Sequence, residues 1–141
     1  MTNARGVQSI PIAEHVLAGL LALARGLPRS WRDQQRHEWR PNDYVGEAMP
    51  WLVHGRTMGV IGVGSIGMVI ATRARALGMR VIGMRRSPRG DEPCPVWTTD
   101  RLHELPFGEF LCEVRLMEPH DLDRPRRIVQ CRFAHGDASF P

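Results

Sequence analysis

The stretch Thr57-Met58-Gly59-Val60-Ile61-Gly62-Val63-Gly64-Ser65-Ile66-Gly67 decides how this chain is read. Its first half is a short continuous apolar run, the pattern of a strand buried on both faces of a parallel sheet. Three glycines follow at GxGxxG spacing. Beyond them Ile66, Val69, Ile70, Ala74 and Leu77 recur at helical spacing until Gly78 stops the pattern. Arg80-Val81-Ile82-Gly83-Met84 is a second short apolar run. Strand, glycine turn, helix and strand in that order make a βαβ unit.

That context gives the glycines a ligand to serve. Gly62 permits the tight turn out of the strand, Gly64 lets the backbone approach a pyrophosphate with no Cβ in the way, and Gly67 lets the helix pack closely on the strand. The N–H groups around Ser65, Ile66 and Gly67 open the helix, where the positive end of its dipole favours an anion. The end of the second strand reads the other half of a dinucleotide. An acid about 20 residues past the glycines accepts the ribose hydroxyls of NAD, whereas an arginine pairs with the 2′-phosphate of NADP. Arg85, Arg86 and Ser87 stand there, with no carboxylate among them. Two guanidiniums and a hydroxyl suit a phosphate dianion, so NADP is favoured and NAD is the alternative.

On the N-terminal side, Ile12, Val16, Leu17, Leu20, Leu21 and Ala24 mark a helix over residues 10–25. Ser9 is its expected N-cap, Pro11 suits its first turn, and Gly26 with Pro28 should stop it. Its apolar face is wide enough to require a partner surface, either the rest of this chain or a second subunit. A polar helix is expected from Arg32 to Trp39, capped by Ser30 and ended by Pro41, touching the body through Trp31 and Trp39. On the C-terminal side, residues 87–96 read as a loop and 99–105 as a short helix capped by Thr99 or Asp100. Phe110 to Leu116 reads as a third strand, and the chain from Asp121 onward shows no sustained periodicity. Three strands would leave one sheet edge without a partner, an aggregation liability.

The whole chain, 141 residues with 43% apolar and 24% charged, fits one globular unit and excludes a disordered or collagen-like protein. All 19 basic residues are arginine, giving a net charge of +4. These arginines alternate with acids and are not interleaved with aromatics, so nucleic acid is not the expected partner. The longest apolar stretch, Val16 to Ala24, falls well short of the roughly 20 residues that span a bilayer, so no membrane partner is expected. Cys94, Cys112 and Cys131 have no CxxC spacing and read as free thiols of a cytoplasmic protein. His15, His37, His54 and His135 share no metal-ligand spacing, and no metal site is assigned.

Several segments taken together carry a more specific likeness. Asn3-Ala4-Arg5-Gly6-Val7, Ala13-Glu14-His15-Val16-Leu17-Ala18, Leu23-Ala24-Arg25, Gly55 through Gly67 and Leu77-Gly78-Met79-Arg80-Val81-Ile82-Gly83 resemble the D-isomer-specific 2-hydroxyacid dehydrogenases, in order, from about residue 2 to residue 122. The resemblance implies a partial Rossmann NAD(P)-binding domain, a doubly wound parallel α/β sheet, over 51–122. It implies a crossover segment at 1–9 and a helical hinge and dimerisation segment at 10–50, with a homodimer formed through the 10–25 helix. The tail at 123–141 is expected to be irregular. In that family an arginine, a glutamate and a histidine carry hydride transfer between nicotinamide and a 2-hydroxy or 2-keto acid. The segments that hold them, Asn-x-x-Arg-Gly, Glu-Pro and Pro-His, do not appear after Leu122, and Arg115 stands where the family has a proline. Glu118-Pro119-His120 lies too early to replace them, and His103 with Glu104 falls in an expected surface helix. No catalytic residue is therefore assigned. The expected reading is a cofactor-binding portion cut at both ends, with a non-catalytic dinucleotide-binding or dimerising module, or a truncated gene product, as alternatives.

Overall fold

The apolar run Thr57–Ile61 forms β1, buried from Thr57 to Val60. Arg80–Met84 (β2) pairs with it in parallel, from Thr57 opposite Arg80 to Ile61 opposite Met84. Phe110–Val114 (β4) lies parallel on the other side, with Met58 opposite Phe110. Successive side chains of a strand point to opposite faces, and both faces are buried here from Thr57 to Val60, which is why the sequence shows no alternation of polar residues. Ser65–Ala76 (α3) makes the crossover from β1 to β2. The computed structural model describes residues 6–41, 49–104, 110–114 and 129–132.

Two further strands, Val96–Trp97 (β3) and Val129–Arg132 (β5), complete a sheet with the order β3-β2-β1-β4-β5. β3 extends β2 in parallel, and β5 runs antiparallel to β4, with Leu111 opposite Arg132 and Val114 opposite Val129. The result is an α/β partial domain. Both added strands depart from the expectation drawn from sequence. The loop read at 87–96 ends in a strand residue, and β5 lies inside the stretch read as irregular. The outer edge of β4, expected to lack a partner, is occupied by β5. The third strand covers Phe110–Val114, while Arg115 and Leu116 lie outside the described residues. The short helix expected at 99–105 is a 3-10 helix over Thr99–Glu104.

The core forms where α3 lies between the sheet and a helix at Ser9–Ala24 (α1). Ala13, Val16, Leu17 and Leu20 from α1 join Met58, Val60, Val63, Ile66, Ile70, Ala71, Ala74 and Val81 in one apolar cluster. Leu20, Val60, Ile70 and Ala74 are fully enclosed. At about 1.5–3 kcal/mol for each large apolar side chain withdrawn from water, this cluster is the main stabilising element of the fold. The Arg73 guanidinium adds an exposed ion pair to Glu14 at 3.0 Å between α3 and α1. The partner required by the apolar face of α1 is thus α3.

The boundaries of the first two helices differ from their sequence reading for local reasons. Ser9 does not cap α1; it lies within the first turn, its N–H bonded to the Gly6 carbonyl at 3.1 Å and its Oγ buried without a partner. Gly26 adopts φ +65° and ends α1 as expected, but the reversal is so tight that Pro28 opens the next helix, Leu27–Gln35 (α2). Proline is well suited to that first turn because the N–H it lacks would have no partner there. Ser30 therefore sits inside α2, its Oγ donating back to the Gly26 carbonyl at 3.3 Å. The helix stops short of Trp39. Glu38 N–H donates to the Asp33 carbonyl and His37 N–H to the Gln34 carbonyl, with His37 at φ +54°, a Schellman closure. Trp31 and Trp39, expected to contact the body, are exposed at 63% and 89%.

Candidate cofactor site

The site is built where β1 runs out. Gly62, at φ +95°, turns the chain at the end of β1. The N–H groups of Gly62 and Val63 both donate to the Met84 carbonyl, at 3.0 and 3.1 Å, which ties the turn to the end of β2. Gly64, in extended conformation, precedes α3, and its N–H donates to the Gly62 carbonyl at 2.9 Å. Met68 N–H bonds back to the Gly64 carbonyl at 2.9 Å. The N–H groups of Ser65, Ile66 and Gly67 have no acceptor among the described residues. Three unpaired donors at a helix start, with the dipole behind them, form a cradle for an anion. A Cβ on Gly67 would overlap the Gly62 carbonyl oxygen and press on Val60, so glycine is required there for the helix to sit this close to the strand.

The second half of the site comes from the end of β2. Arg85 N–H donates to the Trp97 carbonyl at 3.0 Å, and its guanidinium reaches back to the glycine turn, Nη1 donating to the Val63 carbonyl at 3.1 Å. A pocket of about 260 Å³ results, lined by Gly62, Val63, Gly64, Ser65, Ile66, Arg85 and Arg86. The fold therefore brings together residues more than 20 positions apart that the sequence singled out. Gly67 and Ser87 are not among the lining residues. Gly67 acts through packing, and Ser87 is exposed beyond the pocket. A comparable cavity of about 280 Å³ lies on α2, walled by Arg29, Arg32, Asp33, Arg36 and Arg40. It lies apart from the glycine turn and includes no residue of the β1–α3 junction.

Glu92 is the residue the sequence reading missed. Its carboxylate lies 3.5 Å from the Arg85 guanidinium, with the side chain only 4% exposed. It accepts the N–H groups of Arg89 and Gly90, each at 2.7 Å. The Arg89 N–H chiefly holds its carboxyl below the ordinary value of 4.5; burial opposes this, and the Gly90 N–H and the Arg85 charge assist. The only sequence signal was Gly90, whose φ of +88° permits the turn that lets Glu92 face back. His103 and Glu104 lie on the surface as expected. The Glu104 carboxylate is engaged by Arg101 at 2.5 Å, and the Arg101 guanidinium stacks 4.2 Å above the Trp97 ring. Glu118-Pro119-His120 lies outside the described residues.

A parallel sheet, a glycine turn at the carboxyl end of its central strand and an open helix start define a dinucleotide-binding α/β domain of Rossmann type. The family model for the D-isomer specific 2-hydroxyacid dehydrogenase NAD-binding domain matches residues 17–106, and the chain belongs to this family. It is 37% identical over 83 residues to D-3-phosphoglycerate dehydrogenase of Methanocaldococcus jannaschii, covering 59% of this chain and 15% of that protein. It is 33% identical over 82 residues to glyoxylate reductase of Korarchaeum cryptofilum, covering 58% of this chain and 25% of that one. Among solved structures, a D-isomer specific 2-hydroxyacid dehydrogenase family protein of Aeromonas salmonicida superposes with a TM-score of 0.69 at 30% identity, over 84% of this chain and 37% of that chain. The NADPH-dependent glyoxylate/hydroxypyruvate reductase of Sinorhizobium meliloti, in complex with NADP and sulfate, superposes with a TM-score of 0.61 at 25% identity, over 79% and 34%. The chain thus corresponds to a minor part of the length of these relatives.

Proposed function

We propose that this chain binds NADP(H), with the pyrophosphate on the N–H groups of Ser65, Ile66 and Gly67 and the 2′-phosphate at the arginine end of β2. The observation that carries this is the convergence in one pocket of the glycine turn and two arginines, at the place where an NAD enzyme would present a carboxylate. When bound, the nicotinamide supplies hydride transfer to or from a 2-hydroxy or 2-keto acid; the chain's own residues hold the phosphates and set the cofactor's depth. The 141 residues carry no Asn-x-x-Arg-Gly segment for a substrate carboxylate, so we assign this chain cofactor binding and not turnover by itself. We also propose that α1 and α2 pair with a second copy, because Ile10, Leu23, Leu27 and Trp31 remain exposed once the inner face of α1 is packed. The free thiol of Cys94 suits a cytoplasmic setting.

Titrating the purified chain with NADPH and with NADH, following nicotinamide fluorescence, tests the first proposal. Saturable binding with NADPH tighter than NADH is expected. A folded sample that binds neither, or prefers NADH, overturns it. Sedimentation equilibrium tests the pairing: a dimer dissociated by Trp31→Glu is expected, and a monomer at all concentrations overturns it.

A further inference from the structure

The two arginines at the end of β2 are not equivalent. The Arg85 guanidinium is already spoken for: it donates to the Val63 carbonyl at 3.1 Å and lies 3.5 Å from Glu92. Its side chain is 20% exposed, against 4% for Glu92. Glu92 is fixed in turn, because its two oxygens accept the Arg89 and Gly90 N–H groups at 2.7 Å. The chain thus leaves β2 at Arg85, loops outward and returns a buried carboxylate to the same guanidinium. Arg86, one position on, is exposed, lines the pocket and has no hydrogen-bond or ion-pair partner among the described residues.

We infer that Glu92 limits the preference of this site for NADPH, by pinning Arg85 across the glycine turn and offsetting its charge, which leaves Arg86 as the uncompensated cation among the pocket's lining residues. This rests on the reading of the pocket as an NADP(H) site and deepens it. Glu92 is a positioning residue and touches no cofactor atom. Its negative charge acts on an incoming 2′-phosphate from behind Arg85, so it restrains the preference for NADPH even as it holds the pocket wall in place. The low carboxyl pKa keeps that charge present at neutral pH. Arg85 shapes the wall that both cofactors share, because its hydrogen bond goes to the backbone of the turn. Arg86 is the group that distinguishes them.

The test measures dissociation constants of NADPH and NADH for the full chain and for Arg85→Gln, Arg86→Gln and Glu92→Gln. Arg86→Gln is expected to lower the NADPH-over-NADH ratio about tenfold to a hundredfold, the range for a lost charge-assisted bond, because NADPH affinity falls far more than NADH affinity. Arg85→Gln should weaken both cofactors by a common factor and leave the ratio within about twofold, because the wall it holds is shared. Glu92→Gln keeps one acceptor oxygen, which can face Arg85 and the Arg89 N–H, but removes the charge and the second acceptor, and should raise the ratio about threefold to tenfold, as expected for a unit charge several ångströms from a dianion. An unchanged ratio in Glu92→Gln overturns the inference. So does a fall in the ratio for Arg85→Gln as large as for Arg86→Gln, and that comparison decides the matter if Glu92→Gln does not fold. Failure of the unsubstituted chain to bind either cofactor removes the site itself and this inference with it. Binding with NADPH preferred, but with the wrong variant pattern, removes the inference alone.

Discussion

The unit from β1 to β2 and the pair α1–α2 are both built from short segments joined by glycine, yet they are held in different ways. In the βαβ unit the backbone is held at successive points: β1 by strands on both edges, Gly67 by the Gly62 carbonyl, and the turn by the Met84 carbonyl. In α1–α2 only the inner face of α1 is constrained. α2 has no buried residue at all. The lesson is that burial, more than helix propensity, fixes where an element begins and ends. Where it is absent, backbone closures such as those at Gly26 and His37 decide instead.

Four measurements test whether the two regions differ in this way. The largest effect is expected in the core that the two regions share: Leu20→Ala, at a fully buried site, should cost about 2–5 kcal/mol in urea unfolding. A cost below about 1 kcal/mol would mean that α1 is not part of the cooperative unit. Gly67→Ala should follow at about 1–3 kcal/mol, because the added methyl meets backbone that cannot move aside, and cofactor binding should be lost with it. His37→Gly tests the other regime. Relieving a positive φ outside any core should stabilise the chain by about 0.5–1 kcal/mol, seen as a raised midpoint, whereas a loss would show that the imidazole holds the turn.

The smallest effect concerns pH. A carboxyl whose folded pKa is depressed contributes stability that is fully present above its unfolded value and is lost as pH falls through the folded value. The Glu92 turn should therefore be indifferent to pH between 7 and 5 and should loosen only in acid. The amide proton shift of Gly90 should titrate with a midpoint below 4.5. A midpoint at or above that value would show that the carboxylate is not held by the Arg89 and Gly90 N–H groups.

The same contrast explains what could be read in advance. β1, the glycine turn, α3 and β2 were legible because apolar runs, glycine spacing and helical period all pointed to one answer over consecutive residues. The start of α2 was not, because Ser30 offers a plausible cap only if the tight reversal at Gly26 is unknown. β3 and β5 are two and four residues long, and their pairing is decided by neighbours distant in sequence. Glycine spacing within the βαβ order singled out Gly62, Gly64, Ser65, Ile66, Arg85 and Arg86, which line one pocket. Glu92 was not among them, since Gly90 in Pro88-Arg89-Gly90-Asp91-Glu92 marks a turn but does not indicate that the loop doubles back to the strand it has just left.

The double acceptance at the Met84 carbonyl has a consequence for how a ligand would be met. Because the Gly62 and Val63 amides share that one oxygen, the mouth of the pocket is tied directly to the tip of β2. A dinucleotide arriving there finds its phosphate cradle already ordered. The freedom that such a loop would otherwise surrender on association has been surrendered during folding, so little of the binding free energy is spent on shaping the site.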